Sequence, residues 1–223
     1  MIALILKQYL YVFRSYFICG DIMTDKISDE VKKYRKPEHD IMPVIVNRWS
    51  RRALSGDVAD DELMALFEAA RWAPSSSNGQ PWRFIYAKKG TDAWNKLFST
   101  LSEGNQIWCK NASVLVLIVS RSRYEYKEKP YKTHSFDTGS AWENLALEAT
   151  NRGLVAHAMG GFDYDKAREV MEVPEPFEVQ AMVVIGRRGD KKDLPENLRE
   201  REIPSTRKPL EEIVFKDKFG GKL

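Results

Sequence analysis

The 223-residue chain has two cysteines, Cys19 and Cys109. They lie too far apart for metal-ligand spacing and are too few for a disulfide framework, so a reducing compartment, the cytoplasm, is expected. Its three histidines, His39, His134 and His157, stand in no i,i+4 or His-x-Glu context, so neither a zinc nor an iron site is expected. Charge of one sign is also lacking. The 35 basic and 32 acidic residues leave a net +3, and the basic ones are spread along the chain without forming a stripe. That balance argues against nucleic acid as a partner, although a few converging arginines can bind a phosphate whatever the overall charge. No Gly-x-Gly-x-x-Gly follows a strand-like run and no Gly-x-x-x-x-Gly-Lys-Ser/Thr occurs, which excludes a dinucleotide-binding Rossmann unit and a P-loop. Internal repeats are absent as well.

A long unbroken apolar run is missing too. Lys7 and Arg14 interrupt the N-terminal MIALILKQYLYVFRSYFICGD, which leaves it short of the roughly 20 residues a bilayer span needs, and no small-x-small cleavage site follows. Three readings stand: a weak anchor, an extra helix, or a start set upstream of Met23. The polar MTDKISDEVKK beginning at Met23 favours the last. Residues 1–37 are therefore expected to form an extension outside the domain, and no membrane partner is expected.

What remains is ordinary for a globular protein, with 43% hydrophobic and 30% charged residues, and the length suits one α/β core. A single domain is expected over 38–223. From Asp57, Leu63, Leu66, Phe67 and Ala70 recur at helical spacing behind Asp60, Asp61 and Glu62, acids suited to a first turn. Pro74 stops that helix, and WRFIYAKK after Pro81 reads as a strand. A second strand is SVLVLIVS at 113–120, whose continuous apolarity implies burial on both faces. Between them a helix is expected at 93–101, ending near Gly104. The pattern predicts a helix over 137–153 with Asp137 or Thr138 as N-cap, a Trp142/Leu145/Ala146/Ala149 stripe and Gly153 as stop. A further helix begins at Asp163, and AMVVIG at 181–186 is a third buried strand. Beyond it, about 187–223 reads as a charged, proline-broken arm with no core of its own. Helices packed on a sheet follow from this order, an α/β or α+β domain.

Four stretches can carry chemistry, and each also has a plain structural reading. In VNRWSRRAL, Arg48, Ser50 and Arg52 alternate across Trp49 and Arg51; they can grip a phosphate or form a solvated basic patch. In RWAPSSSNGQPW, Ser75, Ser76, Ser77 and Asn78 offer donors and acceptors to a polyhydroxylated, phosphorylated ligand, or make a helix-ending turn. Trp72 and Trp82 read as core. In HAMGGFD, Gly160 and Gly161 after Met159 let backbone approach a flat ligand, or make a tight turn. Near the C-terminus, STRKPL offers Arg207 and Lys208, or a solvated charge pair.

Taken together and in order, these stretches resemble the FMN-dependent nitroreductase family: Arg48-x-Ser50-x-Arg52, the 73–82 stretch, the Gly160-Gly161-Phe162-Asp163 run and RKPLEEIV at 207–214, a likeness covering roughly residues 42–216. The 73–82 stretch is the specific motif. The resemblance implies an α+β fold with a central, mostly antiparallel sheet flanked by helices, in an intertwined homodimer with FMN at the interface. It implies that Arg48, Ser50 and Arg207, with Lys208, hold the phosphate, and that Trp49 and Met159 belong to the same cofactor site. Pro74, Ser75, Ser76, Ser77 and Asn78 then approach from the partner subunit, and Gly160 and Gly161 place N–H groups near flavin N5 and O4. Asn105 pairs with the pyrimidine edge, and Arg52 sits near N1 and O2, stabilising flavin charge. Some members carry a lysine where this chain has Trp108, which leaves that charge to Arg52. No side-chain nucleophile is required, because the flavin takes hydride from NADH or NADPH and passes electrons to a nitroaromatic, quinone or similar acceptor in a ping-pong order. His134 and Phe136, with Tyr131, lie in a segment that could line the substrate pocket or be plain surface. The alternative is an FMN-binding sensor or carrier without redox turnover.

Overall fold

A computed structural model of the chain describes residues 25–126 and 128–223. The N-terminal apolar stretch, with Cys19 and Met23, lies outside the described residues. The elements run α1 (Asp29–Lys32), α2 (Pro43–Asn47), β1 (Leu54–Ser55), α3 (Asp60–Arg71), β2 (Trp82–Lys88), α4 (Asp92–Phe98), α5 (Glu103–Cys109), β3 (Val114–Arg121), α6 (His134–Asn151), β4 (Leu154–Met159), α7 (Tyr164–Val170), β5 (Phe177–Arg188) and α8 (Glu196–Arg199).

Strand β3 organises the packing. Alternate side chains of a strand face opposite sides, and here both sides are covered. Leu115, Leu117 and Val119 join Trp94, Leu97 and Trp108 in one cluster, while Val114, Val116 and Ile118 join Leu63, Leu66 and Leu145 in the other. The continuous apolar run thus reflects a three-layer α+β arrangement with helices on each face. Every pairing in the sheet is antiparallel: β5 lies between β3 and β4, β2 flanks β3, and β1 meets the far end of β5 at Arg187 and Arg188.

Several element boundaries differ from expectation for identifiable reasons. Helix α3 starts at Asp60, not Asp57, where Glu62 Oε2 accepts from the Ala59 N–H at 3.1 Å. The helix expected at 93–101 is α4, which ends early at Phe98, and α5 beyond it was not expected. Thr100 and Leu101 turn the chain through i→i−3 bonds to Leu97 and Phe98, and α5 restarts at Glu103 with Gly104 inside it. Helix α6 begins at His134 behind Thr133. Asp137 is therefore not its N-cap but lies within it, with its carboxylate taken by donors outside the helix. Gly153 closes α6 at φ 69°, a left-handed position that suits glycine. The strand expected at 181–186 extends to Phe177–Arg188, and β4 was missed because LVAHAM is alanine-rich and interrupted by His157.

The expected boundary at residue 38 has no packing break. Val31 is buried against Val46 and Trp49, and the Ser28 N–H donates to Asn47 Oδ1 at 2.9 Å. The C-terminal arm, for its part, returns Leu194 to the core.

Leu145 is fully buried in the α6 layer. Leu145→Ala is expected to lower unfolding free energy by about 2–5 kcal/mol in urea titrations. A loss well below about 1 kcal/mol would show that α6 does not pack as described.

Candidate functional site

The segment after α2 is extended, with Arg48 at φ −65° and ψ 122°, so consecutive side chains diverge. Trp49 turns into the small core beside Val31, and Arg51 lies over its ring at 4.0 Å while pairing with Glu30 at 2.8 Å. The Arg51 hydrogen bond holds the Glu30 carboxyl below its usual range despite partial burial. Arg48, Ser50 and Arg52, with part of Trp49, line a cleft of about 270 Å³.

Two contacts from distant parts of the chain fix this segment. Buried Glu202 accepts from the Arg52 N–H at 2.9 and 3.1 Å and from the Ala53 N–H at 3.0 Å, which pins the C-terminal arm to it. Arg35 donates through Nη1 to the carbonyls of Val46 and Arg48, both at 2.7 Å, and through Nε to Ser205 O at 2.9 Å. The arm then adds Arg201, Ser205 and Arg207 to the cleft.

Five guanidiniums therefore share one small space: Arg35, Arg48, Arg52, Arg201 and Arg207. Burial, with Arg207 and Arg48 close by, pulls Arg35 down to about 10. Glu143 Oε1 approaches Arg48 Nε at 3.3 Å, but it lies off the N–H direction, so the buried Nε has charge attraction and no hydrogen-bond partner. The side chains of Arg52 and Arg201 make no ion pair or hydrogen bond among the described residues.

His157 joins this cleft to a second cluster. Its Nδ1 lies 2.9 Å from Arg51 O; a carbonyl only accepts, so Nδ1 carries the proton. The ring stacks on Trp108 at 4.6 Å. Trp108 Nε1 donates to Asn105 Oδ1 at 3.2 Å, and Asn105 Nδ2 donates to Gly161 O at 2.9 Å. A Cβ on Gly161 would lie 2.6 Å from Asn105 Nδ2, so this glycine is required first by the Asn105 amide. Met159, just before the glycine pair, is buried with its sulfur 3.7 Å from Cys109 Sγ.

The remaining expected residues lie elsewhere in the chain. Pro74 to Asn78 form a separate loop, bonded to Asp137 and Tyr131 and sharing no hydrogen bond with the arginine cleft. Lys208 is exposed and pairs with Glu212 at 3.6 Å. His134 Nδ1 meets Ser120 Oγ at 2.7 Å in a different cleft with Arg123 and Lys132, and Phe136 is 77% exposed. Trp82 is core as expected, but Trp72 is 74% exposed; as the cap of α3 it lies beyond the last buried turn and donates to Glu68 at 2.8 Å.

The sequence pattern of the nitroreductase family matches residues 45–101 and 87–187. A crystal structure of an oxidoreductase containing FMN is 45% identical, covering 84% of this chain and 97% of that one with a TM-score of 0.80. The chain belongs to the nitroreductase family. A 15.4 kDa protein of Mycolicibacterium smegmatis is 32% identical over 150 residues, 63% of this chain and 99% of that protein. A protein of Archaeoglobus fulgidus named as an NADH dehydrogenase/NAD(P)H nitroreductase is 27% identical over 160 residues, 70% of this chain and 89% of that protein.

In this member of the nitroreductase family, the sequence left four cleft contributors unnoticed. Arg35 fell in the stretch expected to lie outside the domain. Arg201 and Glu202 were lost in the charged arm. His157 alone carried a signal, as a lone polar residue in an apolar run.

Burial pushes His157 down to about 4, helped by Arg52 and Arg48 and opposed by its bond to Arg51. The unfolded histidine takes up a proton near 6.5 and the folded one does not, so stability present above that value falls as pH drops towards 4. Unfolding free energy is expected to fall by about 2 kcal/mol between pH 7 and pH 5. His157→Gln should flatten that slope in urea titrations at the two pH values, and an unchanged slope would contradict the neutral buried ring.

Proposed function

We propose that this protein is an FMN-dependent oxidoreductase working as a cytoplasmic homodimer, with the arginine cleft as its phosphate site. The observation that carries the reading is the excess positive charge: among the described residues five guanidiniums have two carboxylates beside them, half-exposed Glu143 and Glu202, whose oxygens already accept backbone N–H groups. A phosphate dianion fits that deficit, and the buried, unpartnered Nε of Arg48 adds a donor in need of an acceptor. The similarity to an FMN-containing oxidoreductase points to which phosphate ester this is.

In this reading Arg48, Ser50 and Arg207 hold the phosphate. Arg52 is the cation available to a ring that gains negative charge, and His157, neutral near pH 7, adds none. Asn105 already accepts one hydrogen bond from Trp108 and donates one to Gly161, so its amide keeps one N–H and one lone pair for a pyrimidine edge. Bound FMN supplies two-electron redox chemistry, with NADH or NADPH as donor and a nitroaromatic, quinone or similar small acceptor served in turn by one pocket. The protein's part is binding, orientation and electrostatics. Met159, Gly160 and Gly161 form the wall beside Asn105, and Pro74 to Asn78, which share no hydrogen bond with the arginine cleft among the described residues, complete the site of a second copy.

Arg48→Ala is expected to weaken FMN roughly 10- to 100-fold, the range of a lost hydrogen bond to a charged group, and to leave riboflavin nearly unchanged. Dissociation constants for both flavins, from quenching of their fluorescence, check this. Equal losses would contradict a phosphate role for Arg48.

A further inference from the structure

We infer that Asp137 is a positioning residue that holds the 75–79 loop in its binding shape, so that Ser77 and Asn78 present their side chains outward without first having to be ordered. The inference rests on the proposal above that this loop touches a flavin. Its physical basis lies in the loop itself. Ser77 and Asn78 stand at φ 52° and 51°, left-handed positions that cost a serine about 1–3 kcal/mol and persist only where surrounding contacts enforce them. Neither side chain hydrogen-bonds within the described chain, and both residues are exposed. A strained turn that displays two unpaired polar groups is the form expected of a ligand clamp.

The enforcing contacts converge on one oxygen. Asp137, 4% exposed, accepts through Oδ2 from the Ser76 N–H at 3.0 Å, the Tyr131 hydroxyl at 2.7 Å and the Thr133 hydroxyl at 3.2 Å. Burial, reinforced by Asp137, pushes the Tyr131 hydroxyl up, so it stays protonated and donates. The Tyr131 ring is the floor under the loop: a Cβ on Gly79 would lie 2.6 Å from it. Tyr124 stacks on this ring with centroids 3.9 Å apart, and its hydroxyl meets Ser76 Oγ at 3.0 Å. No cation pairs with Asp137 among the described residues. Three donors take the place of a counter-ion, an arrangement that is rigid because each lost donor leaves buried charge undercompensated.

The test compares FMN and riboflavin affinities of Asp137→Ala, Asp137→Asn and Tyr131→Phe, with Ser76 amide exchange and the thermal midpoint measured on each. Asp137→Ala should weaken both flavins by the same factor, roughly 10-fold from the added cost of ordering the loop, and should speed Ser76 exchange. Asp137→Asn keeps an acceptor oxygen and should restore part of both. Tyr131→Phe keeps the floor and removes one donor, so it gives the same parallel loss if Asp137→Ala does not fold. Unchanged affinities in folded variants, or a loss confined to FMN, would overturn the inference while leaving the phosphate reading intact. Failure of the unaltered protein to bind either flavin would overturn both.

Discussion

Like charges crowded into one cleft repel, and the fold holds them there with backbone. Half-buried Arg35 donates to three carbonyls, and Glu202 spends both its oxygens on the N–H groups that set the path of residues 52–53. The carbonyls bonded by Arg35 offset none of the cleft's charge, and Glu202 offsets only part of it. Together they tie three chain segments, residues 25–37, the 48–53 stretch and the C-terminal arm, into one wall whose guanidiniums outnumber the carboxylates beside them, Glu143 and Glu202. Such a wall is stable because its scaffold is satisfied while its charge is not. That combination separates a binding site from a set of surface salt bridges, which would have matched each cation with an acid.

The cleft and the Gly160–Gly161 turn are mechanically continuous. His157 bonds to Arg51 and stacks on Trp108, Trp108 fixes the Asn105 amide, and Asn105 meets Gly161. Trp108 contributes orientation instead of charge, so Arg52 is left as the cation on that side. The loop at 74–80 is built on the opposite principle, anchored on the acid Asp137, and among the described residues it shares no hydrogen bond with this cleft. One chain thus carries two complementary halves, and association of two copies unites them under the function proposed.

The sheet was legible because β3 writes its burial into seven consecutive apolar or small residues before Arg121, and α3 and α6 because their stripes repeat at helical spacing. Elements whose signals are weak or mixed were not. Strand β4 places a histidine among alanines, and the α4–α5 break depends on a turn bonded through Thr100 and Leu101, which no residue there announces. Asp137 had the composition of a cap and serves as a buried anchor, because its partners come from Ser76 and Tyr131, far off in sequence. At the site, Arg48, Ser50 and Arg52 were readable from alternation. Arg35, Arg201 and Glu202 were not, since a charged residue's burial is decided by what the remote chain offers it.

The most direct measurement is a crystal structure of the FMN-loaded protein. The predicted result is a phosphate within hydrogen-bond distance of Arg48, Ser50 and Arg207, with Ser77 and Asn78 of a second copy against the same flavin. A phosphate bound elsewhere, with those three residues making no contact to it, would contradict the assignment of the cleft.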